Sequence, residues 1–210
     1  MPRLTRVPVF CFIAAVLISG VSAGAALRDH GPQSQPAART WRIADAPADL
    51  KPAIARADLI VVEMHDTLIR ELKGGLERGP EFAMRSCHID VASVLRRLER
   101  QEGIAAGRTS DRLRNPANAP PSWAAPLVRT HVGGTARDLG GFVVDLGPKI
   151  GVLRPIAHRP MCASCHGPTD RLSPAVRETL SDRYPSDRAT GYKEGDLRGW
   201  YWVEIPKTSR

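Results

Sequence analysis

The stretch Cys162-Ala163-Ser164-Cys165-His166 is the part of the chain around which the rest is arranged. A C-x-x-C-H run is the sequence signature of covalent c-type haem attachment, in which two thiols add to the haem vinyl groups and the histidine binds the iron. The two intervening residues bring both sulfur atoms to one edge of the porphyrin, and the adjacent imidazole lies beneath the ring. The motif therefore predicts haem attachment at Cys162 and Cys165, with His166 as the proximal iron ligand.

Three other chemistries also use a C-x-x-C pair. A thioredoxin-like redox dithiol stands at the strand-to-helix junction of a βαβ unit, whereas Gly167-Pro168 predicts a turn directly after this motif. A zinc knuckle needs a second ligand pair at similar spacing, and the sequence has no other cysteine pair. A disulfide between residues three apart closes a very small loop and constrains the unfolded chain little. The redox dithiol is the strongest of these rivals.

The N-terminus predicts export from the cytoplasm. Arg3 and Arg6 form a positive n-region, residues 7–18 form an apolar h-region, and small residues provide a cleavage site, so we interpret residues 1–26 as a signal peptide. The apolar run is too short to cross a bilayer of about 30 Å as a permanent helix. We therefore predict a periplasmic protein with no stable membrane span after signal cleavage. An uncleaved N-terminus that anchors the protein in the membrane is the minor alternative.

The formal net charge of +8 comes mostly from arginines scattered along the chain. They form no dense run and alternate with no aromatic residues, which argues against a nucleic-acid partner. We expect a few of them to pair with haem propionates and the rest to lie on the solvated surface. Arg112 and Arg114, in a loop rich in proline and asparagine, are the candidates for the propionates. A well-ordered connector explains that loop equally well.

The remaining chain predicts a linker and one domain. Residues 27–48 are rich in alanine, proline, glutamine and serine and predict a flexible linker, so the domain is assigned to residues 49–210. Apolar residues recur at helical spacing over residues 49–76, where Pro52 could introduce a kink. A second long helix follows Pro80. Its apolar stripe consists of Ala83, Cys87, Val91, Val94, Leu95 and Leu98.

The sequence of the second half of the domain predicts mainly β-strands. The two middle strands form a hairpin that leads directly into the haem motif. Together with the helices they predict an α+β fold, in which an antiparallel sheet follows two long N-terminal helices and the haem packs against the sheet. The predicted strands cover residues 104–110, 139–146, 150–157 and 198–205, and short helices cover residues 123–131 and 173–182.

Cys87 is the cysteine that remains when Cys11 leaves with the signal peptide and the motif cysteines bind haem. A single thiol in an oxidising compartment is buried, paired between chains or bound to a metal. On its predicted helix, Cys87 lies near the centre of the apolar stripe and points towards the core. Both a small buried apolar residue and a metal ligand fit this position.

Several motifs, taken in order, resemble one known family. It is a single-domain c-type haem family with a PAS-like fold, long catalogued as a domain of unknown function. Its members occur as stand-alone exported proteins and as the sensory part of bacterial signalling proteins. The resemblance covers nearly all of the mature chain. It is carried by the helix-borne cysteine, Arg108-Thr109-Ser110, residues 114–120, the haem motif with Gly167-Pro168, residues 192–199 and Trp202-Val203-Glu204-Ile205.

The resemblance implies a single haem c whose iron is bound by the motif histidine and by a cysteine on a helix. In this sequence those ligands are His166 and Cys87, with His88 and Met84 as competing sixth ligands. Thiolate ligation implies a lower reduction potential than that of a histidine/methionine cytochrome c. Iron with two protein ligands has no open position for a substrate, so we do not expect an enzyme.

Two functions then compete. One is a redox or gas sensor that signals through a separate partner protein, and the other is a small periplasmic electron-transfer cytochrome c. We favour the sensor slightly. The redox or signalling partner is not identified by the sequence. His65, His131 and His158 are interpreted as surface or core histidines.

Overall fold

The computed structural model describes residues 38–86, 95, 100 and 103–208. The predicted signal peptide, most of the predicted linker, Cys87 and His88 lie outside these residues. The strands of the described part are β1 (Thr40–Arg42), β2 (Ala105–Thr109), β3 (Phe142–Asp145), β4 (Lys149–Ala157) and β5 (Leu197–Pro206). The helices are α1 (Lys51–Leu76), α2 (Pro80–Ser86), α3 (Ala125–Thr130), α4 (Ala163–His166) and α5 (Pro174–Arg183).

The strands form one antiparallel sheet in the order β1-β3-β4-β5-β2. The predicted hairpin is confirmed: β3 and β4 pair from Phe142 opposite Leu153 to Asp145 opposite Ile150. The turn between them is tight because Gly147 has a φ of 82° and donates its N–H to the Asp145 carboxylate at 3.0 Å. The last strand pairs with β4 on one side and β2 on the other, so it lies inside the sheet.

Helix α1 covers one face of the sheet, and the predicted amphipathic helix is confirmed. Pro52 occupies the first turn, where its missing N–H leaves no helical hydrogen bond unmade. Apolar residues at three-to-four spacing are buried against the sheet, since these positions share one side of a helix. The buried cluster includes Leu50, Ile54, Ala57, Ile60, Met64 and Leu68 of the helix segment, and Val143, Ile150, Val152, Val203 and Ile205 of the sheet.

The other face of the sheet is covered by α3 and the segment around it. Trp123 lies flat against Gly151, where a Cβ would come within 2.8 Å of the indole ring, and its Nε1 donates to Glu204 at 2.7 Å. The apolar cluster on this face includes Val128, Leu139, Phe142, Leu153 and Trp200. Both faces of the sheet are therefore buried over much of their area.

The linker prediction is wrong for its described part. Thr40–Arg42 pairs with β3 as an edge strand, and Ala46 is buried in the core below α1. The alanine- and proline-rich composition does not reveal a three-residue strand whose partner lies about a hundred residues further along the chain. The domain therefore begins before residue 49.

The second predicted helix is described from Pro80 to Ser86, and its remainder lies largely outside the described residues. Within the part of the chain that the structure describes, no helix is long and apolar enough to cross a membrane.

Candidate haem site

A cavity of about 260 Å³ lies between the sheet, the C-terminal half of α1, helix α2 and the segment that carries the C-x-x-C-H motif. Helix α1 contributes His65, Leu68, Ile69 and Leu72 to the wall. The sheet contributes residues of β2, β4 and β5. The motif residues Cys162, Cys165 and His166 line the same cavity.

The motif is placed by the end of β4. After Ala157 the chain forms a 3-10 turn at Pro160–Cys162 and a single helical turn at Ala163–His166. Gly167 ends this turn, because a Cβ there would lie 2.7 Å from the carbonyl oxygen of Ala163. Cys165 is buried and Cys162 is half-buried, whereas the two residues between them are exposed. The compact turn thus directs both cysteines and His166 towards the cavity.

The imidazole of His166 is held by its Nδ1 atom. Nδ1 lies 2.6 Å from the carbonyl oxygen of Ala189, which can only accept, so Nδ1 carries the proton and Nε2 is the unprotonated nitrogen. Burial, followed by the positive charges of Arg198 and Arg114, lowers the pKa of His166 well below its usual value. A neutral imidazole oriented by a backbone carbonyl is the form in which histidine binds metals.

Arg114 holds the motif against the loop that follows α5. Its Nη2 atom donates to the carbonyl oxygen of Cys165 at 2.6 Å and lies 3.2 Å from the Asp187 carboxylate. The side chains of this ion pair are only 14% and 8% exposed. The loop backbone adds hydrogen bonds from Gly191 N to Gly167 O and from Tyr192 N to His166 O. Arg114 therefore fixes the motif, and its charge is balanced by Asp187.

Arg112 is also engaged with the protein. Its Nη1 atom donates to the Thr190 carbonyl at 2.9 Å, and its guanidinium lies 3.7 Å from the centre of the Tyr192 ring. The loop with Arg112 and Arg114 thus behaves as the well-ordered connector that the sequence left open. Both arginines line the cavity, yet their main contacts are with protein groups.

The cavity wall is rich in positive charge. It carries five arginines, and among its described residues there is no aspartate or glutamate. Such a wall raises the local potential and favours an anionic ligand. The sequence did not reveal this cluster because its members come from β2, β5 and two loops. They are Arg108, Arg112, Arg114, Arg159 and Arg198.

The other candidates fall in different places. Met84 is buried and lines the cavity. His65 is half-buried and also lies on the cavity wall, with Nδ1 3.1 Å from the Tyr201 hydroxyl. His131 packs on Phe142, and His158 is buried against the Tyr192 ring, as the core interpretation predicted. Among the described residues, no three histidine, cysteine or acidic side chains converge on one metal position.

Fold and site together define an α+β domain that presents a C-x-x-C-H turn to an arginine-lined cavity. The chain belongs to the Tll0287-like family, whose model matches residues 36–206. The resemblance inferred from the sequence motifs is thereby confirmed at the level of the family.

A solved structure shares the fold. It is the crystal structure of the cyanobacterial haem protein Tll0287, which is 22% identical and superposes with a TM-score of 0.53 over 74% of this chain and 98% of that chain. At this identity the likeness establishes the fold. No curated protein matches this chain.

Proposed function

We propose that this chain is a periplasmic protein that carries one haem c, attached covalently through Cys162 and Cys165, with His166 and Cys87 as the axial ligands of the iron. The observation that carries the proposal is the position of His166. Its Nδ1 is bound to Ala189 O, which leaves Nε2 unprotonated, and His166 lines the cavity together with both motif cysteines. The solved relative is itself a haem protein, which supports the same cofactor here.

The groups around the cavity fit a haem in three respects. Two thiols and a neutral imidazole occur within one turn of chain, as covalent attachment requires. The wall contributed by α1 is mainly aliphatic, which suits a porphyrin face. The arginines supply positive charge for two propionates. When bound, the haem supplies a one-electron redox centre and, if an axial ligand leaves, a position for a diatomic gas.

The proposal for Cys87 rests on the helix that begins at Pro80 and on the family resemblance. Ala83 and Met84 line the cavity in the described part of this helix. Cys87 follows them by four and three residues, and residues at these spacings share one side of a helix. Cys87 itself lies outside the described residues. Met84 is the rival ligand whose side chain already borders the cavity.

We propose that the protein acts as a redox or gas sensor. With haem bound, the Cys87 thiolate would stabilise ferric iron and would hold the iron less strongly after a donor protein had reduced it by one electron. Protonation of the thiolate by solvent would then allow Cys87 to leave the iron. Because the sequence predicts Cys87 on the helix whose described part lines the cavity, its departure would release that helix and create two states that a partner protein can distinguish. We do not propose an enzyme, since His166 and Cys87 would together fill both axial positions of the iron and leave none for a substrate.

Electron transfer is the second candidate function. Ala163 and Ser164, the two residues between the motif cysteines, are exposed, so the attachment segment borders solvent. An accessible attachment edge suits electron exchange with a docked partner. In this case both axial ligands stay on the iron when it is reduced.

The optical spectrum tests both the ligands and the function. The exported protein is measured in the ferric state, after reduction with dithionite and after carbon monoxide is added. For the sensor we expect a low-spin ferric thiolate spectrum, followed by carbon monoxide binding after reduction. A low-spin ferrous spectrum that does not change with carbon monoxide would favour the electron carrier.

Two variants separate the candidate sixth ligands. Cys87→Ala is expected to keep the covalent haem, raise the reduction potential and open the iron to ligands even in the ferric state. Met84→Leu keeps the volume of the cavity wall and is expected to leave the spectrum unchanged. If Met84→Leu changes the ferric spectrum and Cys87→Ala does not, the thiolate assignment is wrong.

A further inference from the structure

Arg198 is held at the cavity wall at the start of β5. Its carbonyl oxygen accepts a hydrogen bond from the Ser110 hydroxyl at 3.0 Å. The next residue, Gly199, lies so close to β2 that a Cβ would collide with the carbonyl oxygen of Thr109. This close approach of two strands fixes the backbone of Arg198, so its side chain reaches into the cavity from a rigid position.

The guanidinium of Arg198 is poorly compensated. Its Nε atom is buried and has no hydrogen-bond partner within the described part of the chain. Its Nη2 atom lies 3.3 Å from Nε2 of His166, and the group stands 5.2 Å from the Tyr192 ring. Burial lowers the pKa of Arg198, Tyr192 raises it, and the positive charges of Arg114 and Arg108 lower it again. A cation that is partly buried, with its Nε atom removed from solvent and no carboxylate beside it, is costly, so Arg198 favours an anionic ligand.

Arg114 lies in the same cavity wall, but its guanidinium has hydrogen-bond and ion-pair partners within the protein. It has Asp187 as its counter-ion and two backbone carbonyls as further acceptors. Among the described residues, Arg198 has no such carboxylate in its hydrogen bonds or ion pairs. The difference marks Arg198 as a charge that has no carboxylate partner in the described part of the chain.

The contact between Arg198 and His166 is a second reason to expect an anionic ligand at Arg198. Because Nδ1 of His166 carries the proton, Nε2 is the acceptor and Arg198 is the donor. Nε2 is also the atom that would bind iron. If iron bound Nε2, Arg198 would lose its acceptor and would need another one. A haem propionate is a carboxylate, the group that a planar guanidinium binds with two parallel hydrogen bonds.

We propose that Arg198 binds a propionate of the haem and that, before haem arrives, it hydrogen-bonds the iron-binding nitrogen of His166. The inference rests on the proposed haem function. It replaces Arg112 and Arg114, the arginines expected from the sequence, with one on the last strand.

A reversible binding measurement tests the assignment. The chain with Cys162→Ala and Cys165→Ala cannot attach haem covalently and serves as the parent. It is titrated with ferric haem and with the dimethyl ester of ferric haem, which has the same ring and iron but no propionate charge. We expect the acid to bind about tenfold to a hundredfold more tightly than the ester, the range for a charge-assisted hydrogen bond.

Arg198→Gln is expected to reduce this acid-to-ester ratio strongly, mainly by weakening the binding of the acid. Arg39→Gln is the matched control, because it removes one positive charge from an arginine that is 75% exposed and lies outside the cavity. A ratio that is unchanged in Arg198→Gln overturns the proposal. A ratio that falls equally in the control also overturns it, since general charge attraction would then explain the effect.

Two further results keep the test decisive. If circular dichroism shows that Arg198→Gln is unfolded, Arg198→Lys replaces it. Lysine keeps the charge but offers no bidentate fork, so an intermediate ratio is expected and an unchanged ratio overturns the proposal. If neither ligand binds the parent, the haem proposal fails and this one fails with it, whereas binding with an unchanged ratio contradicts only the role of Arg198.

Discussion

The two ends of α1 lie on the same sheet but differ in what they pack against. At the N-terminal end, Ile54 and Ile60 pack on Ile205 and its neighbours, which are fully buried. At the C-terminal end, Ile69 and Leu72 line a cavity whose wall also carries five arginines. We call the first region, the helix end together with the sheet residues packed on it, the closed end. We call the second region, the helix end together with the cavity, the open end. Strand β5 shows the same division, with aliphatic residues near its end and Arg198 near its start.

The difference shows how the fold can keep a site open. Each aliphatic side chain buried at the closed end contributes about 1.5 to 3 kcal/mol through removal of apolar surface from water. At the open end Ile69 and Leu72 are only partly buried and gain less, and the cavity wall holds guanidinium groups that are costly to bury. The closed end therefore contributes more to stability, and the open end carries the binding groups.

The largest expected effect is at the open end. Replacing Cys162 and Cys165 with alanine in the exported protein removes both thiols that bond to the haem, so covalent haem should be lost completely. Haem staining after denaturing electrophoresis measures it. The fold should persist because the closed end is unchanged. The control is a circular dichroism spectrum like that of the haem-free chain with both cysteines intact. A haem-stained band in the double variant would contradict the attachment sites.

Paired truncations in the two ends test the comparison directly. Ile150, which is fully buried at the closed end, should lose about 2 to 5 kcal/mol of unfolding free energy on replacement with alanine. Ile69→Ala removes the same atoms at the cavity wall, where the side chain is only partly buried, and should cost less than about 1 kcal/mol. Denaturant unfolding of the haem-free chain measures both. Equal losses would show that the two ends do not differ.

An ion-pair comparison addresses the support of the motif. Asp187→Asn leaves the nearly buried Arg114 without a counter-ion and should cost about 3 kcal/mol in unfolding free energy. Asp58→Asn breaks the more exposed pair with Arg154 and should cost less than about 1 kcal/mol. The same unfolding measurement applies. A small loss for Asp187→Asn would mean that Arg114 does not hold the motif in place.

The smallest expected effect is the pH dependence of stability that comes from Asp145 in β3. A hydrogen bond from Lys207, followed by the Gly147 N–H, lowers the pKa of Asp145 from 3.8 to about 2. A lowered pKa stabilises the fold above the unfolded value, and this contribution is lost as the pH falls through the folded value. The stability difference between the parent and Asp145→Asn should therefore be constant above about pH 5 and shrink towards pH 2. A stability difference that grows as the pH falls would contradict a stabilising role for the ionised Asp145 carboxylate.

Much of the local structure could be predicted from the sequence. Helix α1 and the hairpin follow from periodicities of apolar residues, and Ser173 caps α5 by accepting the Val176 N–H at 3.3 Å. Strand β1 could not be predicted, because three residues carry no periodicity and their pairing partner is remote. The order of strands in the sheet was likewise not readable, since it depends on which strands pair across long connections.

The sequence by itself determined the chemistry that lies within one turn of chain. Cys162, Cys165 and His166 are close because they are neighbours, and any fold that permits the turn brings them together. Only the tertiary structure decided how they are supported. The partners of His166 and Arg114 are 23, 32 and 73 residues away in sequence, in Ala189, Arg198 and Asp187. Contacts at such separations leave no local pattern, because they depend on how the sheet and its loops pack around the cavity.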